Sequence, residues 1–173
     1  MLSKSMNEKL NAQITWEFYS SYMYRQMASW FDANGLKILA QRFLVQANEE
    51  QLHAVKLIDY VQKAGGKLLL GEIPAPPHSY KNVVDVLQKT YEHELGVTKR
   101  IHDLMAQAEE DKDYSTRSYL QWYVDEQIEE EASFQDLLQL ARLAGDNNLL
   151  QLEERVEKLM AAAAKPAAAA GGA

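Results

Sequence analysis

Cysteine is absent from all 173 residues. That absence excludes disulfides, thiolate zinc sites, cysteine-ligated iron–sulfur clusters and cysteine nucleophiles. Any metal must therefore be held by oxygen and imidazole. No run approaches the roughly 18 apolar residues of a conventional membrane helix, and MLSKSMNEKL lacks the apolar core of a secretory signal. A cytoplasmic protein without a membrane partner is expected. Positive charge is in deficit, with 18 Lys+Arg against 25 Asp+Glu and a formal charge of −7. Duplex nucleic acid is disfavoured as a partner, whereas cations are attracted.

Glycine and proline are also scarce, at 8 and 4, and they fall in clusters that punctuate long helical patterns. The S-x-x-E spacing of Ser5 to Glu8 predicts a capping box, followed by a helix to about Phe31 and a stop at Asn34-Gly35. A second helix is predicted from near Leu36 to Gly65-Gly66, and then KLLLGEIPAPPHSY breaks the pattern. Asn82 caps a third helix to about Glu110, and Asp113 or Ser115 a fourth that ends before Gly145. A short fifth helix is expected over Asn148 to Met160, within a domain spanning 1–160. The Ala/Gly-rich segment 161–173 is expected to fray after Ala164 and to be disordered.

Loop length sets the topology. Short links make antiparallel hairpins of helices one and two and of helices three and four. The link of about 16 residues between helices two and three can reach about 50 Å extended, while a helix of about 29 residues is about 43 Å long. The expected fold is therefore all-α, a four-helix bundle with one long crossover and a C-terminal fifth helix.

Tracing the inward stripe of each helix in steps of three and four exposes its chemistry. The stripes are Leu10, Ile14, Glu17, Ser21, Tyr24; Phe43, Gln46, Glu50, His53, Leu57; Leu87, Thr90, Glu94, Val97; and Tyr123, Gln127, Glu130, Phe134. Each apolar stripe is interrupted by a carboxylate near its middle. The interruptions also share a height. Glu17 lies 17 residues before Asn34, and Glu50 and His53 lie 16 and 19 after it; Glu94 lies 18 before Lys112, and Gln127 and Glu130 lie 15 and 18 after it. Four Glu, one His and one Gln thus face one another with no Lys or Arg on the stripes. Burying ionised carboxylates unpaired costs several kcal/mol each, so protons or metal ions must compensate. An oxygen-rich set with one imidazole suits iron, manganese or similar ions, and two metals sharing Glu50 fits the ligand number.

Beside this set, Asp125 to Glu131 reads DEQIEEE, and Glu49, Glu126 and Glu129 extend the acidic cluster with Glu130 toward a third cation site. Tyr24 is either a core phenol hydrogen-bonded to a ligand carboxylate or a redox-active tyrosine beside the metals. His78, His93 and His102 lie off the stripes or in the crossover and are read as structural. Trp16, Trp30 and Trp122 are read as packing residues.

The segments NAQITWEFYSSYMYRQMASWF, QANEEQLHAVKL, YEHELGVTKRIHDL and LQWYVDEQIEEEASF resemble the four helix signatures of the non-haem bacterial ferritins over about residues 1–160. The resemblance implies iron storage and detoxification, in which Fe(II) is oxidised at a di-iron ferroxidase centre by dioxygen or hydrogen peroxide. Fe(III) is then held as a hydrated oxide in a shell of 24 subunits. It further implies that Glu17, Glu50 and His53 bind the first iron and that Glu50, Glu94 and Glu130 bind the second, with Gln127 adjacent. Glu49, Glu126, Glu129 and Glu130 form the third site. The departures are specific. Bacterioferritin carries a second Glu-x-x-His where this chain has Gln127 and Glu130, and it binds haem through a methionine; helix two here has no Met, so no haem is expected. Rubrerythrins need cysteine, and the DNA-protecting mini-ferritins lack a fifth helix. A dimetal oxidase that stores nothing, and a cage whose carboxylates bind cations loosely, are the competing readings.

Overall fold

In a computed structural model, which describes residues 2–169 and side chains up to 163, five helices follow one another: α1 (Lys4–Ala33), α2 (Lys37–Lys63), α3 (Val83–Glu110), α4 (Tyr114–Ala144) and α5 (Leu149–Ala169). The first four form the expected bundle. α1 starts earlier than the S-x-x-E spacing predicts, because Ser3 rather than Ser5 accepts from the Met6 amide at 3.0 Å. Ser5 instead donates to Gln107 of α3 at 2.9 Å, so a tertiary hydrogen bond takes the side chain that a local cap would have used. Asn82 and Asp113 cap α3 and α4 as predicted, accepting from Asp85 at 2.9 Å and Thr116 at 3.0 Å.

Polar side chains of α1 guide the crossover. Asn7 and Asn11 both donate to the Lys67 carbonyl, Asn11 accepts from the Leu69 amide, and Thr15 accepts from the Gly71 amide. Four helical residues advance about 6 Å, close to the advance of two extended residues, so alternate crossover residues meet successive turns of α1. At Gly66 the approach is tight enough that a Cβ would lie 2.4 Å from Asn7 Oδ1. Farther on, Tyr80 meets Trp30 near the end of α1, at 5.8 Å between ring centroids. The crossover therefore runs the length of the bundle alongside α1, which leaves α2 and α3 parallel.

α5 packs on α2 and α4 through buried Leu152 and Val156. Leu36, which precedes α2, offers no side-chain cap. Glu153 of α5 supplies it, accepting from the Ile38 and Leu39 amides at 3.1 and 2.7 Å. The helix also continues to Ala169, nine residues past Met160, where the sequence pattern ended it. Alanine has the highest helix propensity, which favours continuing the backbone through the four alanines 161–164 after Met160. Residues 170–173 of the tail expected to be disordered lie outside the described residues.

The core is divided. One apolar cluster gathers Met23, Met27, Phe31, Leu39, Phe43, Leu87, Phe134 and Leu138 at the α5 end. The other gathers Leu10, Ile14, Leu57, Val61, Ile101, Leu104 and Leu120 at the opposite end. Between them lies the polar mid-bundle layer.

Candidate metal centre

All six polar stripe residues are buried: Glu17, Glu50, His53, Glu94, Gln127 and Glu130 expose between 1% and 7% of their surface. The tightest group forms across α1 and α2, where one ligand atom each of Glu17, Glu50 and His53 lies within 4.8 Å of the others. His53 Nδ1 stands 3.6 Å from Glu50 Oε2. Burial opposes ionisation of Glu50, but the adjacent His53, with Glu17 and Gln46, outweighs it and holds Glu50 below the usual carboxylate range. His53 is raised in return, burial opposing its charge and Glu50 favouring it. Glu17 is pushed well up, by burial first and by the Glu50 charge second.

Across α3 and α4 the carboxylates are stabilised by neutral donors. Tyr24 donates its phenolic hydrogen to Glu94 Oε1, and Gln127 Nε2 donates to Glu94 Oε2 at 3.2 Å. Glu130 Oε1 accepts from Gln46 at 2.8 Å. Burial and the Glu50 charge push Glu94 well up and bring Glu130 up to about 7. Tyr24, wholly buried beside Glu94 and Glu50, is raised well above the usual phenol range, chiefly by burial.

The donor set fits a hard or borderline divalent cation. Glu17 Oε1 accepts from Gln13 at 2.7 Å, but Oε2 is buried with no hydrogen-bond partner among the described residues. No Lys or Arg pairs with Glu17, Glu50, Glu94 or Glu130 among them. A buried orphan carboxylate oxygen facing a carboxylate and an imidazole is an arrangement that a metal ion completes.

The outer acidic residues are looser. Glu126 Oε1 lies 3.8 Å from His53 Nε2, Glu49 Oε2 lies 3.9 Å from Arg42, and Glu129 is exposed. Burial raises Glu49 from its ordinary value, against the Arg42 charge. His93 stays out of the cluster, as expected: its ring stacks on Trp16 at 5.6 Å, Nε2 lies 2.7 Å from Ser20 Oγ, and burial pushes its pKa down to about 4. His78 and His102 are exposed. Trp122 meets the His53 ring edge-on at 5.3 Å, beneath the Lys56 ammonium.

Sequence reasoning missed Gln13 and put Gln46 on the inward stripe without giving it a role; each stands four residues before a Glu and donates to it. The repeated Gln-x-x-x-Glu spacing carried that signal, since residues four apart on a helix face are neighbours.

One long crossover and a buried carboxylate layer at mid-height define the class of ferritin-like helical bundles. The comparisons agree. The ferritin-like domain matches residues 7–144. A bacterial non-heme ferritin of Campylobacter jejuni is 40% identical over 166 residues, 95% of this chain and 99% of its own. A probable bacterial non-heme ferritin-like protein of Haemophilus influenzae is 41% identical over 147 residues, 85% of this chain and 89% of its own. An open pore ferritin from the hyperthermophilic archaeon Archaeoglobus fulgidus superposes with a TM-score of 0.88 at 43% identity, covering 90% of this chain and 96% of that one. This chain belongs to the ferritin family. Among the described residues, no helix is long and apolar enough to cross a membrane.

Proposed function

We propose that this protein stores iron, oxidising Fe(II) at the mid-bundle centre and retaining Fe(III) as a hydrated oxide within a cytoplasmic shell of 24 subunits. The observation that carries the reading is the buried layer itself, four carboxylates and one imidazole with an orphaned Glu17 oxygen and no Lys or Arg partner among the described residues. Fe(II) is the substrate. Glu17, Glu50 and His53 take one ion, Glu50, Glu94 and Glu130 take the other, and Gln127 holds Glu94. Glu50 is shared by both.

Each carboxylate has a distinct part in the proton balance. Glu17, Glu94 and Glu130 hold protons more firmly than an exposed carboxylate does, and two incoming Fe(II) ions displace them. Oxidation then takes one electron from each Fe(II). The two electrons, with two protons, reduce dioxygen to hydrogen peroxide or hydrogen peroxide to two waters. Tyr24 keeps Glu94 oriented through its hydrogen bond. Glu49, Glu126 and Glu129, with Glu130, form a third cation site adjoining the centre.

Native mass combined with an aerobic iron-loading titration tests this. A particle of about 24 chains that takes up far more than three irons per chain supports storage. A dimer that saturates at two irons per chain would replace it with a non-storing oxidase. A cage that oxidises Fe(II) no faster than buffer would reduce it to a scaffold.

A further inference from the structure

Gln46 is fully buried, and every polar hydrogen of its side chain is used across two helices. Nε2 donates to Glu50 Oε1 on its own helix at 3.0 Å and to Glu130 Oε1 on α4 at 2.8 Å. A carboxamide nitrogen has two hydrogens, so these two bonds exhaust it. The orientation of the amide is fixed from the other side. Arg42 Nη1 lies 2.8 Å from Gln46 Oε1, and because a guanidinium only donates, the atom facing it must be the oxygen. Arg42 is itself held, with its guanidinium carbon 5.4 Å from the centre of the Phe134 ring, Nη2 3.4 Å from Ser133 Oγ and Nη1 3.9 Å from Glu49 Oε2.

We infer that Arg42 and Gln46 form a positioning relay that presets the carboxylate of Glu130 for the second Fe(II). The inference rests on the two-iron reading above. The asymmetry between the two carboxylates locates the effect. Glu50 is also fixed by His53, whereas Glu130 has Gln46 as its sole donor among the described residues. Tying Glu130 Oε1 to Gln46 leaves its Oε2 for metal. Without the relay, Glu130 must be ordered when the ion binds, and affinity falls by the cost of that ordering. Gln46 and Arg42 act through other side chains and touch no iron, so both are positioning residues. Arg42 enters this arrangement from a cavity of about 430 Å³ between α2, α4 and α5, where half-buried space tolerates its replacement.

The test is a Co(II) titration of the metal-free protein, followed by visible absorption and calorimetry, which resolves the first and second equivalents without turnover. In Gln46→Met, of similar volume but with no hydrogen to donate, the first equivalent stays within about twofold of wild type. The second weakens about 10- to 100-fold, the usual consequence of losing an outer partner of a metal ligand. Arg42→Met frees the amide to flip and weakens the second equivalent about tenfold, the lower edge of that range. Two equivalents bound as tightly as in wild type overturn the relay. So does an equal loss of both, which is general damage to the bundle; Arg42→Met, altered outside the core, keeps the question open to decision should Gln46→Met fail to fold. Wild-type protein that does not bind two Co(II) per chain removes the two-iron reading itself, a failure distinct from that of the relay.

Discussion

The two sides of the mid-bundle layer solve the same electrostatic problem differently. On the α1–α2 side, an ionised Glu50 is matched by His53, and Glu17 leans on both. On the α3–α4 side no imidazole pairs with either carboxylate among the described residues, and Glu94 and Glu130 are held by Tyr24, Gln127 and Gln46. The first side is a compact carboxylate and imidazole group built around the Glu50–His53 pair. The second is a pair of acids whose pKa values are raised by burial and by Glu50. A cation entering either side must displace protons, from Glu17 and a charged His53 on the first and from Glu94 and Glu130 on the second.

Removing the residue common to both sides has the largest expected effect. Glu50→Ala should abolish rapid Fe(II) oxidation in stopped-flow absorbance, a loss beyond the roughly hundredfold typical of an outer partner. Rapid oxidation persisting in that variant would refute the shared-ligand arrangement. Glu130→Ala should separate the sides. Its first equivalent of Co(II) should bind as in wild type and its second should be lost, whereas His53→Ala should weaken the first.

Acid–base behaviour sharpens the contrast without metal. Glu130 titrates at about 7 in the folded chain, above its ordinary 4.5, so its contribution to stability is complete below about 4.5 and is lost as pH rises through 7. The raised His53 has the same sign, with stability lost as pH rises through its folded pKa. Glu50, lowered, contributes the opposite way and loses its stabilisation as pH falls below the usual carboxylate range. Glu17 and Glu94 are raised as well and act in the same direction, so the metal-free protein should melt highest near pH 5 and lose stability between pH 5 and 8. Scanning calorimetry in chelator checks this, and Glu130→Gln should flatten the slope. A melting temperature that rises steadily to pH 8 would contradict the assignment.

Tyr24→Phe should have the smallest effect of the four. It removes one donor from Glu94, at a cost of about 1–2 kcal/mol in the metal-free protein, measured as a shift of the denaturant midpoint. The first Co(II) equivalent should be unaffected, because Tyr24 bonds only to the second side.

The polar layer residues were legible because burial enforces helical spacing. Glu17, Glu50, His53, Glu94, Gln127 and Glu130 could be picked out as polar interruptions at one height, and all six are buried there. The crossover was legible from its length. The parts played by Gln13 and Gln46 were not. Gln13 and Gln46 look like any tolerated polar residue until the partner on the next turn or the next helix is in place. The cap of α1 was misread for a related reason: Ser5 satisfies the local pattern, but Gln107, 102 residues away, outcompetes it. The end of α5 escaped the pattern because alanine continues a helix without leaving a packing stripe to trace.

Glu153 closes α2 from the far end of the chain, 114 residues beyond Leu39. On a ribosome, the α1–α2 hairpin can pair its apolar faces long before that carboxylate is synthesised. Its Ile38 and Leu39 amides must then stay with water until α5 docks. The first turn of α2 is thus finished last, and a chain halted before α5 would carry a nearly complete centre on a helix whose opening turn is still unsealed.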